Sequence, residues 1–207
     1  MHGFLELLRI QRWDDHRYYH HSMINQSLHL LSAASFVVAY ALMFTDPALA
    51  ALLAWLVSMT SRQIGHLVFE PKTYDVLNDA SHEHKEVIKI GYNLRRKIVL
   101  MSVWALSPLL FVFSPTAFGL CQPAEDFMTF ARQVGHLWLA IGVGALLFRT
   151  VQLFVIRDVQ TGLVWATKII SDPFNDIRLY RRAPIAVLRR RDHGQDTLSA
   201  EAIEMRQ

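Results

Sequence analysis

The sequence predicts an all-α protein: a four-helix transmembrane bundle of two helical hairpins, with a histidine cluster on one membrane face and an interfacial C-terminal segment. Three observations lead there. Of 207 residues, 52% are hydrophobic and only 19% charged. Four apolar stretches, 28–45, 48–69, 98–113 and 134–156, are separated by polar segments, and a bilayer core takes about 20 residues of helix. Lysine and arginine concentrate in alternate segments, as the positive-inside rule requires of a multi-pass chain.

The elements follow in order. Residues 1–27 read as a cytoplasmic amphipathic arm carrying Arg9, Arg12 and Arg17. No signal-peptide pattern is visible in 1–11, so the first apolar stretch is expected to act as its own signal. Stretch 28–45 ends at Asp46-Pro47, a connection without positive charge, and stretch 48–69 returns the chain. The loop 70–97 holds Lys72, Lys85, Lys89, Arg95, Arg96 and Lys97, whereas 114–133 holds only Arg132. Both termini and the 70–97 loop are therefore expected on the cytoplasmic side. Stretch 98–113 contains Pro108, and stretch 134–156 carries Gly135, Gly142 and Gly144 with Ala140 and Ala145, small residues that favour close helix packing in lipid. Residues 28–156 form the membrane domain. The segment 157–188 mixes aromatic and basic residues and is expected at the headgroups. The tail 189–207 is polar and expected to be mobile. Arg62 and Arg149, near helix ends, are expected to snorkel.

Composition also excludes. One cysteine, Cys121, rules out an internal disulfide framework and any multi-cysteine metal site. The pI of 9.2 and mean hydropathy of +0.21 point to anionic lipid rather than nucleic acid, because the basic residues flank apolar segments.

Ten histidines remain to be explained. The topology puts His16, His20, His21 and His29 at the cytoplasmic end of the first stretch, His66 at the cytoplasmic end of the second, and His82 and His84 in the loop that follows. His136 falls at the opposite face and reads as a packing or interfacial residue, and His2 and His193 lie in the ends. Imidazole suits iron, zinc and copper, and two or three histidines with a carboxylate leave positions open for oxygen or substrate. His29 and His66 sit inside apolar stretches, where an ionisable group is costly and faces a functional interior. His66 and Glu70 are four apart and share a helix face with Gln63; Asn25 and His29 are also four apart. His20 and His29, nine apart, are half a turn out of phase. They meet one metal only if His20 precedes the helix and folds back over its end.

The run Tyr19-His20-His21-Ser22-Met23-Ile24-Asn25-Gln26-Ser27-Leu28-His29 and the run Gly65-His66-Leu67-Val68-Phe69-Glu70 resemble the paired motifs of the membrane-embedded 2-hydroxy fatty acid α-dioxygenases, a family known from breakdown of phytosphingosine to odd-chain fatty acids. The likeness covers about 16–72, with Met23 where the family has proline. It implies an Fe(II)-dependent oxidoreductase that uses molecular oxygen to shorten a 2-hydroxy fatty acid by one carbon. It matches His20, Asn25, His29, His66 and Glu70 to the site. On this reading His20, His29 and His66 hold the iron with His82 as fourth ligand, and Glu70 either ligates or orients a ligand imidazole. His16, His21, His84 and Glu86 are further candidates, and Arg95 or Arg96 would attract the substrate carboxylate. Lipid substrate, bilayer and oxygen are the expected partners. Two alternatives stay open: a di-iron membrane hydroxylase or desaturase, and a non-enzymatic membrane protein whose histidines respond to pH.

Overall fold

The computed structural model describes residues 3–70, 73–76 and 78–189. His2, His193 and nearly all of the tail lie outside the described residues. The described chain is helical, and its one β-bridge joins Asp75 to Ala80. In order come α1 (Phe4–Tyr19), α2 (Met23–Leu42), α3 (Pro47–Leu53), a π-helical stretch (Ala54–Met59), α4 (Thr60–Ile64), a second π-helical stretch (Gly65–Phe69), α5 (His82–Ile88), α6 (Leu94–Leu106), α7 (Leu109–Phe113), α8 (Phe127–Ile156), α9 (Val159–Tyr180) and α10 (Ala183–Leu188).

Helices begin where the sequence supplies a side-chain oxygen for their first free N–H groups. Ser22 accepts from Ile24, Asp46 from Leu49, Asn93 from Arg96, Asp126 from Thr129 and Asp158 from Thr161. Pro47 follows Asp46 at the first helical position, where its missing N–H costs nothing. The cap at Asp126 starts α8 seven residues before the apolar stretch that predicted it. Ser107 and Pro108 separate α6 from α7 within the third stretch.

Helix α2 is central. The α3–α4 arm packs on it, and α9 and α10 cover another side, with α1 laid on α9. Helix α8 crosses both α3 and α9. Gly135 makes the first crossing possible, since a Cβ there would come within 2.5 Å of the Ala48 carbonyl oxygen. Gly144, by contrast, faces open space. The apolar core joins Ala51 and Trp55 to Val134 and Trp138. Trp104 stacks on Trp55 with ring centroids 5.4 Å apart, and the Trp55 indole N–H donates to the Trp138 carbonyl at 2.9 Å, so the buried polar handle is satisfied.

Two helical segments, Arg95–Phe113 and Phe127–Ile156, are long and apolar enough to cross a membrane. Helix α2 turns Asn25, Gln26, His29 and Ser32 inward, and all four are buried.

Two expectations need correction. Arg62 and Arg149 do not snorkel. Arg62 lies 3.6 Å from Asp176 and 4.0 Å from Asp172. Arg149 is buried and donates to the carbonyls of Ile90 and Gly91 and to Gln152, 2.7 Å away. Both cations have fixed partners on neighbouring elements, which outcompete solvent. The segment after 157 is more than a surface belt. Ile169, Ile170 and Phe174 of α9 are exposed, but Lys168, Asp172, Asp176 and Tyr180 are buried against the bundle.

Candidate metal centre

The site is built at the turn between α1 and α2. Helix α1 ends at Tyr19, and His20 leaves it with φ −115° and ψ 46°. Two side chains from the first turn of α2 hold this connector. Asn25 Nδ2 donates to the Tyr19 carbonyl at 2.7 Å, and Gln26 Nε2 donates to the His20 carbonyl at 2.9 Å. The chain is thus folded back over the helix start, and His20 reaches His29 despite their opposite helical phase. Their ring centroids are 3.9 Å apart.

The second arm delivers His66 from the π-helical turn Gly65–Phe69; such turns redirect side chains and recur at functional sites. Gly65 is required by proximity. A Cβ there would stand 2.3 Å from Asn25 Oδ1 and 3.4 Å from His29 Cδ2. His66 comes to 4.9 Å from His29 and 5.4 Å from His20 between ring centroids. One ligand nitrogen from each of the three imidazoles lies within 4.8 Å of the others, a group that could hold a metal ion.

Each ring also meets an oxygen on its Nδ1 side. His20 Nδ1 is 2.7 Å from the Tyr180 hydroxyl, which also lies 3.0 Å from His16 Nδ1. His66 Nδ1 is 2.7 Å from Glu70 Oε2. His29 Nδ1 is 3.9 Å from Asp176 Oδ2. For His20 and His66 this is the pattern expected around a bound metal, where the nitrogen away from the ion donates to a carboxylate, carbonyl or hydroxyl that fixes tautomer and orientation; the His29–Asp176 pair is too long for a hydrogen bond. The inward nitrogens carry the test of fit. His20 Nε2 and both nitrogens of His29 are buried without a hydrogen-bond partner. Buried polar atoms are almost always satisfied, and a divalent cation would satisfy the inward ones together. Three imidazoles without sulfur suit iron, zinc or copper.

The electrostatics agree. Burial, reinforced by the neighbouring His29 and Arg62, drives His20 well below the usual imidazole range, leaving it neutral and able to ligate. Burial alone would raise Asp176, but His29 and Arg62 overcome it and hold the carboxyl below its ordinary value. Burial raises Glu70, opposed by Lys89 and Lys97. Beyond Arg62 the charges continue along α9 towards α1. Lys168 Nζ bridges Asp15 and Asp172 at 2.5 Å each, and Arg12 Nε reaches Asp172 at 3.2 Å.

His66 is the one member of the three that lines the large cavity, about 550 Å³, between the first arm, α8 and α9. A metal at the triad would therefore face this cavity through His66.

The remaining sequence candidates are placed elsewhere. His82 starts α5 behind its Ser81 cap and is not in the three-histidine group. His84 is exposed on the same helix. His21 Nε2 faces Asp75 at 3.2 Å, in a latch where Lys85, fully buried, stands 3.7 Å from the same carboxylate. Glu86 pairs with Lys89 at 3.4 Å. Arg95 and Arg96 are exposed, whereas Lys97 lines the cavity. His16 touches Tyr180 beside the triad. Asn25 acts on the connector backbone, and Glu70 orients His66.

Sequence reasoning missed the contribution of α9. Lys168, Asp172, Asp176 and Tyr180 recur every four residues, one helix face of ionisable groups. That spacing was the available signal. Comparison with family models, with curated proteins and with solved structures finds no match for this chain.

Proposed function

We propose that the chain is an Fe(II)-dependent integral membrane dioxygenase that shortens 2-hydroxy fatty acids, or closely related lipids, by one carbon. One observation carries the reading: three imidazoles from two chain segments converge within 4.8 Å, with an oxygen set against the Nδ1 side of each. The resemblance of the two histidine motifs to the α-dioxygenases supplies the choice of iron and of substrate class. All four apolar stretches cross or enter the bilayer in this reading, with both termini and the 70–97 loop cytoplasmic.

His20, His29 and His66 would hold the ion, which would supply Lewis-acid and redox chemistry to the substrate's carboxylate and 2-hydroxyl. The chain's own residues do the rest. Tyr180 and Glu70 fix the His20 and His66 rings through contacts of 2.7 Å, and Asp176 faces His29 from 3.9 Å, so that much of the coordination geometry is set before substrate arrives. Asn25 and Gln26 keep His20 over the helix end. The apolar walls between the first arm and α8 hold the acyl tail and keep water from the reacting carbons. The reaction balances without an external reductant: the 2-hydroxy acid and one O2 become the acid one carbon shorter, carbon dioxide and water. The C1–C2 bond breaks, and oxygen takes up the four electrons released.

Metal analysis of detergent-purified protein, with lipid product analysis on 2-hydroxy fatty acids, tests this. One iron per chain and a product one carbon shorter are expected, and His66→Ala should lose both while keeping its helical circular dichroism. Iron retained at full stoichiometry in that variant refutes the ligand assignment. Two irons per chain would favour a di-iron hydroxylase.

A further inference from the structure

We infer that the cavity beside the triad is a tunnel for one acyl chain, with Lys97 holding the anionic head and Gly142, opposite Trp55, setting the accepted length. The inference rests on the proposed function for its reacting end, but the tunnel is argued from its own walls.

The cavity is polarised along its length. His66, Gln63, Arg62, Lys89 and Lys97 line it beside the triad, together with Lys168 and the carboxylates Asp14, Asp15 and Asp172, and Trp55, Ala51, Ala50, Trp138 and Gly142 line it farther along. At the α-helical rise of ~1.5 Å per residue the wall from His66 back to Ala50 spans at most roughly 24 Å, its π-helical turns advancing less. A bilayer core of about 30 Å holds two chains end to end. The tunnel is therefore longer than one leaflet is deep, and it suits a long, extended, single chain. Its volume of about 550 Å³ falls within the usual ~300–1,000 Å³ range of ligand sites.

Among the described residues that line the head end, one basic side chain, Lys97, makes no ion pair. Arg62 answers Asp172 and Asp176, and Lys168 answers Asp15 and Asp172. Lys89 answers Glu86 and lies over the Tyr19 ring, 3.6 Å from its centroid. Lys97 lines the same end of the cavity, and Glu70, a carboxylate that acts on it, is engaged with His66. A substrate carboxylate entering beside His66 meets Lys97 as its counter-ion. Arg95 and Arg96 point to the exterior and cannot do this.

The far end is gated by a missing side chain. A Cβ at Gly142 would touch the Trp55 indole at 3.7 Å, an ordinary contact. Alanine therefore fits, and a larger side chain must enter the tunnel. Trp55 is fixed by its hydrogen bond to the Trp138 carbonyl and by Trp104 stacked on it, so it cannot retreat. The level of Trp55 lies at most roughly 16 Å from His66 at the α-helical ~1.5 Å per residue. Gly142→Leu should block the tunnel near that depth, and Ala54→Leu, on the facing wall, should do so independently.

The test is displacement of a fluorescent fatty acid from the full-length protein in detergent by straight-chain saturated acids of increasing length. Iron content is measured on the same samples. Wild type should favour long acids. Both leucine variants should shift the preferred length downward while leaving short acids within about twofold, and Lys97→Ala should weaken acids of every length by tenfold or more without weakening their methyl esters. Two properly folded leucine variants with an unchanged length profile overturn the length gate. Methyl esters binding the wild type as tightly as acids overturn the role of Lys97. Absence of iron with length-dependent binding intact would refute the dioxygenase and leave the tunnel standing.

Discussion

Tyr180→Phe isolates the outer support of the triad. The hydroxyl it removes touches His20 Nδ1 at 2.7 Å and His16 Nδ1 at 3.0 Å, in a buried setting. One hydroxyl has one proton, so it donates to one of these imidazoles and accepts from the other. Metal on His20 Nε2 places the ring proton on Nδ1. His20 then donates to Tyr180, and Tyr180 donates to His16. Phenylalanine keeps the ring and its packing but leaves a buried donor on one side and a buried acceptor on the other. Each unsatisfied group costs about 1–3 kcal/mol. Loss of a partner that orients a ligating imidazole typically weakens metal affinity about 10–100-fold, which is ~1.4–2.7 kcal/mol. Chelator competition measures the affinity, and thermal unfolding of metal-free protein measures the stability. Tyr40→Phe is the control: it removes a hydroxyl bonded to the Ile170 carbonyl at 3.0 Å on an exposed surface. Affinity should fall in the first variant and hold in the second. Equal affinities in Tyr180→Phe and wild type would refute the claim that Tyr180 sets the His20 tautomer.

Two further predictions follow from the packing. Gly65→Ala places a methyl 2.3 Å from Asn25 Oδ1, so Asn25 must release the Tyr19 carbonyl or the π turn must shift. Metal binding should drop at least tenfold with little change in helical circular dichroism, and unaltered affinity would show that the contact relaxes harmlessly. Lys168→Met leaves the Asp15 and Asp172 carboxylates without their shared ammonium, a loss of about 3 kcal/mol at neutral pH by the usual penalty for breaking a buried pair. Lys168 is raised above its ordinary value: burial lowers it, but Asp15 and Asp172 outweigh that. Its contribution is therefore full below about pH 10.4 and lost as pH rises through the folded value. Asp15 is depressed, because Lys168 overcomes burial. Its contribution is present above about pH 3.9 and lost as pH falls through the folded value. Urea unfolding of both proteins should show the largest gap between about pH 5 and about pH 9, narrowing at both extremes. A gap independent of pH would mean that Lys168 acts only through packing.

How far the sequence reached depends on whether the information was local. Helix content and starts were readable because caps and apolar runs are local features, as at Asp126 and Asp46. The triad was readable in part. His66 and Glu70 are joined by spacing alone, and the out-of-phase pair His20 and His29 forced the conclusion that His20 lies before the helix, where it is found. The side chains that achieve this, Asn25 and Gln26, act on backbone carbonyls, and no residue pattern announces such bonds. Arg95 and Arg96 were chosen over Lys97 by charge alone. Only the phase of α6 against the cavity separates them. The partners on α9 were missed for a different reason. Aromatic and basic residues in 157–188 match a headgroup belt in composition, and composition does not register that Lys168, Asp172, Asp176 and Tyr180 share one face. A four-residue ladder of ionisable groups on an otherwise apolar helix is better read as a buried seam than as a wet surface.

Charge balance explains why that seam is worth its desolvation. Three neutral imidazoles give a divalent cation no compensating charge of their own, and an uncompensated dication among buried groups would be prohibitive. The compensation stands one layer out. Glu70 lies behind His66 and Asp176 lies towards His29, so two carboxylates face the rings that would carry the ion's charge. Asp176 is in turn matched by Arg62, Arg62 shares Asp172, and Asp172 is matched by Lys168 and Arg12. The alternation of sign runs from the triad through α9 to α1 without placing a carboxylate among the three ligands. On the proposed reading, an inner set free of carboxylates would leave the ion more electrophilic and its remaining positions open to an anionic, chelating substrate. That substrate adds one negative charge at the cavity wall, where Lys97 stands. Under the proposed function the arrangement would favour an acid over a neutral lipid at the same site, because the acid would complete a pairing that Lys97 leaves open.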